Sequence, residues 1–193
     1  MKQTNLKTAR PESPLYGRGL GEASYFTLQE LAKSASAERL AIDNTPPRAA
    51  QRMLTILVEQ LLDPIRRRYG APIIVTSGYR CPALNTAVGG VANSHHIIGC
   101  AADITAGSIE QNKVLFALII EMQTAHAIRF TQVIAEKGYR WLHISYVPGM
   151  LRNQIIDVNT QINNDANVND NQPSGSQQLT SASTLEGDYQ DSG

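Results

Sequence analysis

The sequence lacks the features that would assign it to several large classes of protein. Its 193 residues include 17 Lys and Arg and 17 Asp and Glu, so the formal net charge of +0 gives no electrostatic reason to expect nucleic-acid binding. All of its apolar runs are shorter than the roughly 20 residues that cross a bilayer, which argues against insertion into a membrane. The polar segment 1–22 has no apolar stretch typical of a secretory signal, so we expect a product made and kept in the cytoplasm.

Cysteine is scarce as well. Cys81 and Cys100 are too few for a disulfide framework. Two separate buried thiols suit a cytosolic product better than one bridge. The 42% hydrophobic content is sufficient for one core within one domain.

Apolar spacing predicts three helices. The segment 27–30 has a capping-box pattern at the start of a short helix. Helical periodicity continues over 48–69, where Pro64 is expected to kink the helix or to divide it. A third helix is predicted over 108–124, with a serine as its N-cap.

Short β-branched runs predict four strands, of which the last two form a hairpin. Their ranges are 72–76, 100–104, 132–135 and 141–146. Residues 77–99 are expected to be a loop because they are rich in glycine. After Pro148 the periodicity fades, so no further element is predicted.

These elements predict an α+β domain at 23–150, built from a small antiparallel sheet with flanking helices. A flexible N-terminal arm is expected at 1–22. The polar tail at 151–193 is expected to be disordered, because its composition cannot bury enough apolar surface to offset the entropy of ordering.

Two segments concentrate side chains that can bind a metal ion. SHHIIGCAAD at 94–103 contains His96 and Asp103, and WLHIS at 141–145 contains His143. Two imidazoles and one carboxylate would leave the fourth position of a tetrahedral zinc site open, as catalytic sites require. Spacing alone also permits a purely structural interpretation, in which these three are a loop residue, a cap and a core histidine.

The chain resembles the zinc D-Ala-D-Ala carboxypeptidase family of murein peptidases over about residues 23–148. This family shares its fold with lysostaphin-type endopeptidases and the hedgehog signalling domain. Segments 25–31 and 62–66 are similar to the phage and prophage branch. The most specific matching motifs are TSGYRCP at 76–82, LN at 84–85, VGG at 88–90, Ser-x-His-x-x-Gly-x-Ala-x-Asp at 94–103 and Trp-x-His-x-Ser at 141–145.

The resemblance implies that one Zn²⁺ per chain is bound by His96, Asp103 and His143, while the adjacent His95 lies at the rim. It implies a peptidoglycan peptide as substrate, cut as by a D-Ala-D-Ala carboxypeptidase or an L-Ala-D-Glu endopeptidase. The missing export signal would suit a phage or prophage product that acts on the cell wall after release.

The general base departs from the family pattern. Several relatives have an acidic residue three positions before the last histidine ligand, where this chain has Arg140, which stays protonated. Glu136 is the nearby carboxylate, so we predict that it deprotonates the attacking water. A solvated glutamate beside a turn is the alternative. In that case the chain would be a catalytically impaired module that binds the cell wall or belongs to a virion and keeps the zinc scaffold.

Four further residues are candidates for contact with the substrate. The resemblance implies that Arg80 binds a substrate carboxylate or the developing oxyanion, both of which suit a guanidinium. A structural contact of Arg80, either a salt bridge to Asp103 or a hydrogen bond to a loop carbonyl, is the alternative. Ser94, Tyr79 and Trp141 are the other candidates, with loop capping for the serine and core packing for the two aromatic residues as alternatives.

Overall fold

The computed structural model describes residues 24–158, so the predicted arm at 1–22 and residues 159–193 of the predicted tail lie outside the described residues. The described elements, in chain order, are α1 (Leu28–Ala32), α2 (Ala35–Arg39), α3 (Arg48–Leu57), a π-helical turn (Val58–Leu62), α4 (Asp63–Tyr69), β1 (Ile74–Ser77), α5 (Pro82–Ala87), β2 (Ala101–Thr105), α6 (Ile109–Thr124), β3 (Gln132–Glu136), β4 (Trp141–Ser145) and β5 (Gln154–Asp157). The predicted α+β class is confirmed. Within this part of the chain, none of the helices has both the length and the apolar character that a membrane crossing requires.

The strands form one sheet with the order β1-β2-β4-β3-β5. The four predicted strands pair in antiparallel fashion, whereas β5 pairs in parallel with β3. No strand is predicted after Pro148, because four residues are too short to show a clear alternation. β5 is instead defined by its backbone pairing with β3, from Gln132 opposite Gln154 to Ala135 opposite Asp157.

Strand alternation gives the sheet one core face and one partly open face. The core face is fully buried and packs with helical side chains. Its strand residues are Ala102, Ile104, Val133, Ala135, Leu142 and Ile144, and the helical residues of the same cluster include Leu54, Leu61, Ile65, Leu115 and Ile119. The residues between them, including Asp103 and His143, therefore lie on the opposite face.

The helix predicted over 48–69 is divided rather than kinked. The Asp63 N–H donates to the Val58 carbonyl, five residues back, which defines the π-helical turn. Pro64 follows in the first turn of α4, where its missing N–H is best tolerated.

Both predicted caps are present. Thr27 and Glu30 form a reciprocal capping box at α1, and Ser108 accepts a hydrogen bond from the Gln111 N–H at the start of α6. The predicted loop 77–99 is partly wrong, because it contains the one-and-a-half-turn helix α5, which begins at Pro82. Both cysteines are free thiols, as expected.

Candidate metal centre

Strand register brings two of the predicted ligands together. Asp103 in β2 lies directly opposite His143 in β4, and side chains of directly paired residues occupy the same face of a sheet. His96 enters from the loop before β2. Gly99 then turns the chain with a φ of +74°, and a Cβ there would lie 2.5 Å from the Ala50 carbonyl oxygen. Only glycine satisfies both conditions.

The three side chains converge on one point. His143 Nδ1 lies 3.0 Å from Asp103 Oδ1 and 3.2 Å from His96 Nε2. His96 Nε2 lies 3.3 Å from the same oxygen of Asp103. Each residue thus presents one atom with an electron pair to a common centre, which is the arrangement that could hold a metal ion.

The orientation of His96 is fixed by the backbone. His96 Nδ1 lies 2.6 Å from the Gly78 carbonyl oxygen. A carbonyl only accepts, so Nδ1 carries the proton and Nε2 is left with its lone pair facing Asp103 and His143. This side chain is 1% exposed. Burial lowers the pKa of His96, although the nearby Asp103 carboxylate acts in the opposite direction. The neutral, ligand-competent imidazole is therefore favoured.

Asp103 is held in its charged form. Burial alone would raise the pKa of Asp103, but the adjacent imidazoles of His143 and His96 outweigh burial and keep this pKa well below its usual range. A neutral imidazole and a carboxylate facing each other at 3.3 Å repel unless a proton or a cation lies between them.

Gly78 follows the last residue of β1 and contacts His96, and packing leaves no room for a larger residue at this position. A Cβ at this position would overlap the backbone carbonyl of Leu31. The same carbonyl accepts the Tyr79 N–H at 2.6 Å, so it has little freedom to move away. The carbonyl of Gly78 is thereby held where it orients the His96 ring.

Replacing Gly78 with Ala should weaken Zn²⁺ affinity by about 10- to 100-fold, the usual effect of losing a group that orients a ligand. The overlap with Leu31 should also lower the free energy of unfolding by about 1–3 kcal/mol. Competition with a chelating dye and thermal unfolding measure the two effects. Gly89→Ala is the control, since a Cβ there meets nothing within 4 Å and the substitution is strained only by its φ of +74°. Equal Zn²⁺ affinity in the two variants would show that Gly78 does not orient the site.

Arg80 borders the centre. Its guanidinium Nη2 lies 3.9 Å from Asp103 Oδ2, so the salt bridge considered as an alternative is present but long. Its Nε is buried and has no hydrogen-bond partner among the described residues. Burial lowers the pKa of Arg80 and Asp103 acts in the opposite direction, yet a guanidinium stays charged. One N–H donor therefore remains for another molecule.

A cavity of about 470 Å³ opens over the centre. Its lining includes His96, His143, Arg80 and Glu136. Glu136 lines the cavity because of the pairing between β3 and β4. Ile134 lies opposite His143 and Glu136 lies opposite Trp141, so these side chains share the open face of the sheet. Arg140 is exposed on the turn that joins these strands.

The other predicted site residues are distributed as follows. Ser94 and His95 line the cavity, and the Ser94 hydroxyl also accepts the His96 N–H at 3.4 Å.

Tyr79 is 4% exposed and packs in the hydrophobic core. Trp141 is half-buried on the open face, and Lys137 Nζ lies 5.4 Å from its ring centroid. Neither aromatic residue is among those that line the cavity.

Sequence reasoning missed one wall of the cavity. Met150, Arg152 and Gln154 line it from the segment that leads into β5. All three follow Pro148, after which no element is predicted, and Arg152 and Gln154 lie in the segment predicted to be a tail. The short β-branched pair at 155–156 was the available signal.

The sequence profile of a known family matches most of the described chain. The family described as Peptidase M15 matches residues 24–145, a span that includes β1 to β4 and all three potential metal ligands. No curated protein matches the chain. The segment that carries Met150 and β5 follows the matched span.

Proposed function

Because the chain belongs to the Peptidase M15 family, we propose that it is a zinc-dependent peptidase that hydrolyses peptide bonds of bacterial peptidoglycan. The supporting observation is the convergence of His96, Asp103 and His143 beside a cavity. The same cavity is lined by a carboxylate, Glu136, and by a partly unpaired guanidinium, Arg80.

The donor set suits zinc in both chemistry and spacing. In a tetrahedral site, bonds of roughly 2.0–2.1 Å place neighbouring ligand atoms about 3.3 Å apart. The three separations between donor atoms are 3.0, 3.2 and 3.3 Å. His96 Nε2, His143 Nδ1 and Asp103 Oδ1 would bind the ion and leave a fourth position open toward the cavity.

Glu136 is the proposed general base. A bound zinc ion polarises a carbonyl group and lowers the pKa of a water molecule. The Glu136 carboxylate takes a proton from the attacking water and returns it to the nitrogen of the leaving amine. Its support is its position on the open face of β3, beside Ile134 and the strand that carries His143.

Arg80 is proposed to stabilise the charge that develops on the scissile carbonyl oxygen. Its free Nε–H and its proximity to Asp103 place a fixed donor next to the metal ligands. Such a donor costs no reorganisation when the oxygen becomes negative. Ser94 lines the same cavity and is proposed to assist in holding the peptide.

The purified chain, loaded with zinc, should cleave soluble muropeptides at either the D-Ala–D-Ala or the L-Ala–D-Glu bond. A chelator should abolish cleavage and added Zn²⁺ should restore it, with products identified by mass spectrometry. One observation favours a second candidate: Arg140 occupies the position at which several relatives have an acidic residue. Binding to cell walls without cleavage in the presence of zinc would therefore support a non-catalytic module and reject the peptidase.

A further inference from the structure

The segment that follows the matched family span adds a charged wall to the cavity. Arg152 lines the cavity with Met150 and Gln154. β1, which precedes Arg80, and β5, which follows Arg152, are the two opposite edges of the sheet. The two guanidinium-bearing segments therefore enter the cavity from different sides.

The backbone beside Arg152 is firmly anchored. The Asn153 N–H donates to the Phe130 carbonyl at 2.8 Å, and Asn153 Oδ1 accepts the Phe130 N–H at 3.0 Å. The Gln154 N–H then donates to the Thr131 carbonyl at 3.2 Å. Asn153 has a φ of 51°, a conformation that asparagine tolerates better than most residues. Arg152 is thus presented from a fixed position.

The charge of Arg152 is unpaired within residues 24–158. In this range Arg68 pairs with Glu121, and Arg80 lies near Asp103, but no ion pair includes Arg152. Glu136 is the only carboxylate residue among those that line the cavity. An exposed guanidinium on a peptide-binding cavity is well suited to bind a carboxylate through two parallel hydrogen bonds.

Sheet geometry sets the distance at which Arg152 would act. β5 is two strands away from β4, which carries His143, so the two strands are about 10 Å apart at a strand spacing of roughly 4.8 Å. Ile156 is the β5 residue level with His143, because both lie opposite Ile134. Arg152 precedes Ile156 by four residues, which adds roughly 13 Å along the strand direction. A peptide advances about 3.3–3.5 Å per residue. Arg152 would therefore act on a group a few residues from the scissile bond, whereas Arg80 lies beside the metal ligands.

We propose that Arg152 is a specificity-determining residue that binds a free carboxylate of the stem peptide a few residues from the scissile bond. This inference rests on the proposed peptidase function. Arg80 would act at the scissile carbonyl and Arg152 at a carboxylate further along the peptide. Peptides in which that carboxylate is amidated should be poor substrates.

The test compares two synthetic peptides that differ only in this group, the free carboxylate and its amide. The wild type should prefer the free acid by roughly 10- to 100-fold in kcat/KM, the usual range for a charge-assisted hydrogen bond. Arg152→Gln should lose this preference through a higher KM for the free acid, with little change for the amide. Arg152→Lys should keep part of it.

Arg129→Gln is the matched control, because Arg129 is exposed beside β3 but is not among the residues that line the cavity. It should keep the full preference. An equal loss on both peptides in Arg152→Gln, or an unchanged preference, would overturn the role of Arg152 and leave the peptidase function intact. Absence of zinc-dependent cleavage of either peptide by the wild type would overturn both.

Discussion

Glu136→Gln should lower kcat on muropeptides by about 10²- to 10⁴-fold, the contribution of a positioned general base. The amide keeps the shape of the side chain but cannot accept the proton of the attacking water. Glu136 is not among the three side chains that converge to hold a metal. The variant should therefore bind zinc as the wild type does, and turnover should be lost without loss of the ion.

The control for this variant is Glu59→Gln. Glu59 is exposed in the π-helical turn, within the helical layer rather than on the open face of the sheet. The Glu59→Gln variant should cleave muropeptides at the wild-type rate. This control distinguishes the effect of losing the general base from the effect of losing one negative charge. Zinc content and kcat are measured on the same preparations. Wild-type turnover in Glu136→Gln would exclude Glu136 as the base.

His143→Ala should remove zinc from the protein and abolish cleavage. Two protein ligands rarely hold zinc, because structural sites use four and catalytic sites use three. His143 is 14% exposed, so its truncation leaves less of a buried void than truncation of His96. Metal analysis after dialysis should give about one zinc per chain in the wild type and almost none in the variant.

Thermal unfolding gives an independent measurement of the same effect. A ligand that binds only the folded state raises its stability, so a chelator should lower the Tm of the wild type. The Tm of His143→Ala should not respond to chelator. His126→Ala is the control, because His126 is exposed after α6, outside the converging set. A Tm of His143→Ala that still falls on chelation would show that zinc binds elsewhere.

Much of the architecture was predictable because its causes are local in the sequence. The capping box at 27–30 and the N-cap of α6 follow from side chains three residues apart. The pairing of Asp103 with His143 follows from strand alternation, once the strands at 101–105 and 141–145 are neighbours. The family profile confirmed the resemblance, whereas the roles of individual site residues stay predictions.

The features that sequence did not predict depend on contacts between distant segments. The Gly78 carbonyl orients His96 across 18 residues, and no local pattern encodes that hydrogen bond. Tyr79 follows directly, yet its N–H bonds to Leu31 and its ring is buried. β5 is four residues long and exists through its pairing with β3, which is why Arg152 was not expected at the cavity.

A crystal of the wild-type protein grown with Zn²⁺ allows the most direct test, through anomalous scattering measured on both sides of the zinc absorption edge. We expect one strong peak within about 2.0–2.2 Å of His96 Nε2, His143 Nδ1 and Asp103 Oδ1. A peak elsewhere, or none at this position in crystals with zinc in solution, would contradict the proposed centre and with it the peptidase chemistry.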